Sequence, residues 1–266
     1  MQRFFIEMAY DGTNFHGWQL QPNAISVQEV MNEALRKVFR QNIYIVGCGR
    51  TDTGVHSDYF VAHFDVEDID DTEKVDIEHV IFKLNSILPP DVAVYSLQRV
   101  SIELHSRFSA RSRTYYYRLT TLKSPFMRIN HFRPFFALDF EKMNEAAEEL
   151  LHFTDFTSFS RLHTDTKTND CNVMFAKWIQ QPDGNWYFVI KANRFLRNMV
   201  RAIVGTLMDV GRGKMTKEEF IAVIEAKNRK KASTSAAACG LSLVDVEYPE
   251  GYGFVQHFRK VNLLVE

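Results

Sequence analysis

The sequence predicts an α+β protein made of two successive halves, each mixing short strands with amphipathic helices. Two observations lead there. Apolar runs of strand length alternate with stretches whose apolar residues recur at helical spacing, and the pattern starts again a little past residue 100. A chain of 266 residues is ample for a large core. The boundary is expected near Ser101–Ser106, giving halves of 1–104 and 105–266.

In the first half, Gln2 to Tyr10 reads as a strand, ended by the turn Asp11-Gly12. Ser26-Val27-Gln28-Glu29 is a capping box, and Val27, Val30, Met31, Ala34, Leu35, Val38 and Phe39 then follow at helical spacing. Ile43–Val46 and Tyr59–Phe64 read as two strands flanking a polar loop. A second helix is expected from about Asp76 to Leu88, stopped by Pro89-Pro90, with a strand from Asp91 to Val100. In the second half, Arg113–Thr121 reads as a strand and Phe140–Leu151 as a helix. Cys171–Gln181 and Asn185–Asn193 read as a hairpin about Pro182-Asp183-Gly184. Phe195–Asp209 is expected to be a long helix closed by Gly211 and Gly213, followed by a helix at Thr216–Lys227 and a strand at Leu241–Tyr248. No exact repeat or low-complexity segment occurs.

Composition narrows the function classes. Hydrophobic residues at 45% and charged residues at 24% fit a soluble globular chain. No apolar run approaches the roughly 20 residues of a membrane helix, and the N-terminus lacks a signal-peptide layout. Three widely spaced cysteines, Cys48, Cys171 and Cys239, argue against a disulfide framework and a four-ligand zinc site, and suit a reducing cytoplasm. The net charge of −1 hides two opposite patches. Ser106 to Leu138 contains no Asp or Glu but holds Arg107, Arg111, Arg113, Arg118, Lys123, Arg128 and Arg133. Asp65 to Glu78 reverses the balance, with eight carboxylates against Lys74 alone. A partner meets the local field, so a polyanion remains a candidate.

The most informative stretch is Val46-Gly47-Cys48-Gly49-Arg50-Thr51-Asp52-Thr53-Gly54-Val55-His56. It places one carboxylate, Asp52, on a turn between two strands, two residues from Arg50. A rigid strand pair holding a polar loop residue is a common site geometry, and a nearby guanidinium favours a charged carboxylate. Read blandly, Thr-Asp-Thr-Gly is also ordinary turn chemistry.

Two further constellations stand out. In Arg113-Thr114-Tyr115-Tyr116-Tyr117-Arg118, strand alternation puts Tyr115 and Tyr117 on one face with Arg113, and Tyr116 and Arg118 on the other. One face then suits a core and the other a ring platform beside cations, as in single-strand recognition, although tyrosines also simply suit strands. Along the expected long helix, Arg194, Arg197 and Arg201 fall on one line beside an apolar stripe, either as a phosphate or carboxylate site or as a solvated basic face. No His-Glu-x-x-His, phosphate-cradling Gly-x-x-x-x-Gly-Lys, dinucleotide fingerprint or Gly-x-Ser-x-Gly elbow is present, so neither metal nor organic cofactor is expected.

These residues carry a resemblance. Gly49-Arg50-Thr51-Asp52-Thr53-Gly54-Val55-His56 is similar to the Gly-Arg-Thr-Asp-Ala-Gly-Val-His motif of the tRNA pseudouridine synthase A family. Tyr10–Gln19 resembles that family's first turn, and Leu84–Val94 its Asn-x-x-Leu-Pro-x-Asp-Ile-x-Val stretch. Arg107–Ala110 with Arg113–Tyr117 resembles its tyrosine motif, and Asp155–Phe159 and Met199–Gly205 resemble two more. The resemblance implies two ferredoxin-like halves around a mixed, mainly antiparallel sheet, with helices on one side and the active cleft between the halves. It implies a cofactor-free homodimer that isomerises uridine to pseudouridine in the tRNA anticodon stem-loop, at positions 38 to 40. Asp52 matches the essential nucleophile, Arg201 the basic residue paired with it, Tyr115 the tyrosine on the target base, and Arg50 the arginine that holds or displaces the flipped nucleotide. Arg107, Arg111, Arg194 and Arg197 are then expected to meet phosphates. Thr53 stands where the family has Ala and Ser57 where Gly or Ala is common, both small changes. Asn169-Asp170-Cys171 replaces a Pro-x-Arg, which removes one cation near Lys167.

Two rival classes share some of these features. Asp52-Thr53-Gly54 is the triplet of aspartic proteases, but those need two carboxylates sharing a proton, and the helices and Arg-Tyr clusters do not suit that all-β fold. A non-catalytic RNA-binding protein of ferredoxin-like fold would keep the cations and tyrosines and make Asp52 dispensable.

Overall fold

The computed structural model describes residues 1–67, 75–161 and 168–258. It is an α+β structure with eight strands and five α-helices among the described residues. The chain forms two compact units, one from Met1–Arg111 with the segment that begins at Leu243, the other from Ser112–Ser242.

The first unit runs β1 (Gln2–Tyr10), α1 (Val27–Phe39), β2 (Val46–Gly47), β3 (His56–Val66), α2 (Ile77–Ile87) and β4 (Val92–Val100). β1 lies between β4 and β3, antiparallel to both, and the short β2 pairs with β3. This is the split β-α-β arrangement of a ferredoxin-like half. The predicted capping box opens α1: the Ser26 side chain accepts from the Glu29 amide and Glu29 reaches back to the Ser26 amide. α1 seats Phe39 against Phe4 and Phe64, which stack at 5.6 Å on facing strands. α2 covers β4 differently: the Asn85 side chain both donates to Val94 O and accepts from Val94 N, each at 2.8 Å. That satisfies two backbone groups on β4 which a further strand would otherwise pair.

β1 is buried on both faces, which explains why its apolar residues do not alternate. Its other face is closed by the chain beyond Leu243: Phe5 packs against Tyr248 and Phe254. On that face Glu7 is fully buried and accepts a 2.7 Å hydrogen bond from the Tyr59 hydroxyl. Phe4, Phe5, Phe60 and Phe64 are fully buried in this core, at ~2–3 kcal/mol of burial each.

One expected strand is largely replaced. Ile43–Val46 was expected to be extended and paired, yet only Val46–Gly47 joins the sheet. Ile45 is held instead by α1 side chains, its amide donating to Asn32 Oδ1 at 2.9 Å and its carbonyl accepting from Gln28 Nε2 at 2.8 Å. The acidic run beyond Glu67 lies in part outside the described residues; Asp65 itself makes a bidentate ion pair with Arg3, which lowers its pKa.

The second unit runs β5 (Ser112–Leu119), α3 (Phe140–Glu148), β6 (Val173–Gln180), β7 (Trp186–Ala192), α4 (Met199–Gly211) and α5 (Lys217–Glu225). β7 lies between β5 and β6, antiparallel to each, and the predicted hairpin joins β6 to β7. Asn144 of α3 clasps the Trp178 backbone of β6 as Asn85 clasps Val94, donating at 3.0 Å and accepting at 2.7 Å. Phe140 stacks on Trp186 at 3.9 Å. The last strand, β8 (Leu241–Glu247), enters the first unit at Leu243, where the Ser57 hydroxyl of β3 donates to the Leu243 carbonyl at 3.1 Å.

Candidate active site

The loop between β2 and β3 is pinned at several places by one other segment, Tyr10–Trp18. Thr51 is buried, with its hydroxyl 2.9 Å from Tyr10 Oη, and its carbonyl accepts from the Trp18 amide at 3.3 Å. Gly54, at φ 74°, donates its amide to Phe15 O at 3.2 Å. Gly12 donates to His56 Nδ1 at 3.1 Å. A β-carbon on Gly12 would lie 2.0 Å from Val55 O, and one on Gly17 would lie 2.3 Å from Thr51 O. Both glycines are there because two backbones touch. Asp52 sits between these anchors, half-buried, its carbonyl closing a turn with the Val55 amide at 3.1 Å. Trp18 stacks on Phe60 at 4.2 Å and gives the clamp a rigid base. His56 Nδ1 also lies 3.0 Å from Asp11 Oδ1.

The other site candidates of this unit lie on exposed turns. Arg50 is exposed on the Asp52 loop, two residues before it. Arg107 is exposed on a tight turn in which the Arg107 and Phe108 amides both donate to His105 Nδ1, at 3.1 and 3.2 Å. Arg111 is exposed beside a groove that also holds Glu247 and Glu250, and its amide donates to Glu247 O at 2.7 Å.

In the second unit, β5 departs from the platform expectation. Every residue from Ser112 to Leu119 is buried, so neither face is an open ring surface. Tyr115 is 8% exposed and meets Phe195 edge-on at 5.1 Å. Tyr116 and Arg118 do share a face, both against Tyr187. Tyr117 has no exposed surface, and burial raises its pKa well above the usual phenol range. Its ring fits only because residue 240 is Gly; a β-carbon there would lie 2.8 Å from it.

The arginine line on one helix is corrected. α4 begins at Met199, not Phe195, because Asn198 adopts a left-handed conformation at φ 66° that breaks the helical path. Arg194 and Arg197 therefore stand in the preceding loop, and only Arg201 is helical. Arg194 Nη1 lies 3.5 Å from Thr168 Oγ1, and Arg197 is exposed with its carbonyl accepting from the Arg161 amide at 3.1 Å. Arg201 is half-buried and doubly tied to Ala236: its Nε donates to Ala236 O at 2.8 Å, and the Ala236 amide donates to Arg201 O at 2.9 Å.

Pattern reading had no purchase on what ties Arg201 down. Ala232–Ala236 is a strap without regular structure along α4. Arg229 donates to the Ala232 and Ser233 carbonyls, Asn198 Nδ2 donates to Ser235 Oγ at 2.7 Å, and Gly205 admits Thr234 O where a β-carbon would lie 2.0 Å away. Gly205 within a helical motif was the available signal, since a glycine inside a helix asks for a packing reason. Lys167 lies outside the described residues. Among the described residues no group of three or more His, Cys, Asp or Glu side chains is placed to hold a metal ion, and no helix is long and apolar enough to cross a membrane.

Comparison with known proteins bears on the whole chain. Residues 146–249 match a family model described as tRNA pseudouridine synthase. A protein named tRNA pseudouridine synthase A from Bacteroides fragilis is 54% identical over 250 residues, covering 94% of this chain and 98% of that protein. Its namesake from Bacteroides thetaiotaomicron is 54% identical over 252 residues, covering 94% and 92%. A more distant one, from Thermoanaerobacter sp., is 37% identical over 250 residues, covering 93% and 100%. At that identity over nearly full length, the chain belongs to the tRNA pseudouridine synthase A family.

Proposed function

We propose that Asp52 is the nucleophile with which this chain isomerises uridine to pseudouridine in the anticodon stem-loop of tRNA, at positions 38 to 40, without a cofactor. Membership of the family makes the chain an isomerase of tRNA pseudouridine synthesis. The observation that carries the finer reading is the clamp: a half-buried carboxylate on a loop whose backbone is fixed on either side of it by Tyr10–Trp18. Such fixation is what a carboxylate needs to act on a sugar or base at defined distance.

The reaction breaks the bond from uracil N1 to C1′ and forms one from C5 to C1′; C5 gives up a proton and N1 gains one. A carboxylate beside the sugar supplies the covalent assistance this needs. The target uridine lies in a stem and must be flipped out, at a few kcal/mol. In this reading Tyr115 contacts the extruded base, Arg50 holds or displaces the flipped nucleotide, and Arg201 pairs with the nucleophile. Arg107, Arg111, Arg194 and Arg197 meet the phosphates, whose contacts position RNA and dominate affinity. Arg107, Arg111 and Arg197 are exposed. The enzyme works as a homodimer in the cytoplasm, where its tRNA substrate is.

The test uses tRNA transcripts carrying tritium at uridine C5. Asp52→Ala is expected to abolish tritium release while leaving tRNA affinity within about tenfold, because phosphate contacts remain. Unchanged release by the variant would overturn the assignment. Transcripts varied at each anticodon-stem uridine report the site in the same assay.

A further inference from the structure

The turn after β4 holds an aromatic column that runs from the core to solvent. His63, buried in β3, meets the His105 ring at 4.5 Å, and His105 meets the Phe108 ring at 4.4 Å. Phe108 is 77% exposed, and the Arg107 guanidinium lies 5.6 Å from its ring centre.

An exposed phenylalanine on a mobile loop would mean little, but this one is on a fixed turn. Besides the two amides held by His105 Nδ1, the His105 amide donates to Ser109 Oγ and the Ser109 amide to His105 O, both at 2.9 Å. Ser106 ties the turn inward: its hydroxyl lies 2.7 Å from Val46 O, its amide donates to His63 Nδ1 at 3.2 Å, and its carbonyl accepts from Tyr248 Oη at 2.6 Å. Val46 is the first residue of the strand leading into the Asp52 loop. The ring is thus presented outward by a backbone that has little freedom to bury it.

The chemistry beside the ring selects the occupant. A flat apolar face with a guanidinium next to it matches a base with its own phosphate. The turn itself, Ser106 to Arg111, holds no carboxylate and adds a second exposed guanidinium, Arg111. We propose that Phe108 is an RNA-binding residue that stacks on an unpaired nucleobase of the tRNA substrate, with Arg107 on the adjoining phosphate. This rests on the reading of the chain as an enzyme acting on tRNA.

The test compares Phe108→Ala, Phe108→Leu and Phe108→Trp with the wild-type enzyme on an unmodified tRNA transcript. Stacking on an aromatic side chain corresponds to roughly 5- to 150-fold in affinity per base. Phe108→Ala and Phe108→Leu are therefore expected to raise Kd and KM at least fivefold with the melting temperature unchanged. Phe108→Trp should restore affinity, and its added indole emission should be quenched when tRNA binds. If the wild type isomerises tRNA while Phe108→Ala matches it in Kd and KM, the proposal is overturned and the enzymatic reading stands. A shift in oligomeric state by sedimentation, with tRNA affinity unchanged, would assign the ring to a protein contact and overturn it too. A wild type that neither binds nor isomerises tRNA removes the reading beneath it.

Discussion

Acid is expected to destabilise this fold through one identifiable ring. His63 lies in the middle of β3, 4% exposed, with Nδ1 accepting from the Ser106 amide at 3.2 Å and 2.7 Å from the Ser106 hydroxyl. Burial, then the charges of Arg3 and His105, push its pKa down from 6.5 to about 4. The unfolded chain takes up a proton near pH 6.5 that the folded chain refuses until about pH 4. The stability tied to neutral His63 is therefore complete above pH 6.5, falls as pH drops, and is lost by about pH 4. A gap of 2.5 pH units between 6.5 and 4, at ~1.4 kcal/mol each, gives about 3 kcal/mol as an upper figure. His105 is shifted in the same direction, so the wild-type curve alone is not diagnostic. The perturbation is His63→Gln, which removes the titration and keeps a polar group beside Ser106. Urea unfolding at a series of pH values should show the wild type losing about 3 kcal/mol more than the variant between neutral pH and pH 4. Parallel curves would refute the reasoning, as would a His63 titration midpoint near 6.5 in the folded protein by NMR.

Two other perturbations probe the clamp and the buried carboxylate. Gly12→Ala forces a β-carbon to within 2.0 Å of Val55 O, so the Asp52 loop must move; a loss of tenfold or more in kcat is expected, on the scale of a 1 Å misplacement, and steady-state tritium release measures it. Wild-type kcat in that variant would show that the loop position is not critical. Tyr59→Phe removes the 2.7 Å donor from fully buried Glu7, leaving the weaker contact from Gln98 Nε2 at 3.4 Å. Denaturant unfolding near neutral pH is expected to show a loss of about 1–3 kcal/mol, and an unchanged midpoint would contradict it.

Where chain-local physics decides, the sequence was a sufficient guide. Ser26 with Glu29, and Thr216 with Glu219, cap their helices within four residues, and both helices begin where those residues say. The turn at Pro182-Asp183-Gly184 and the placement of Asp52 between strands are legible for the same reason: each depends on neighbours along the chain. Resemblance then supplied what local physics lacks, the roles proposed for Tyr115 and Arg201.

The rest depends on groups far apart in sequence, and only the folded chain brings them together. Gly12 and Gly17 are glycines because Val55 and Thr51 pass within a β-carbon's reach. Ile45 leaves the sheet because Asn32 and Gln28 satisfy its backbone first. Asn198 ends the expected arginine line through one left-handed residue tied to Ser235, so Arg194 and Arg197 leave the helix while Arg201 is bound to Ala236. Periodicity records which side chains prefer burial. It says nothing of which distant backbone carbonyl will stand two ångströms from a missing β-carbon, and that excluded volume sets how closely the backbone on either side of Asp52 meets the Gly12–Gly17 segment.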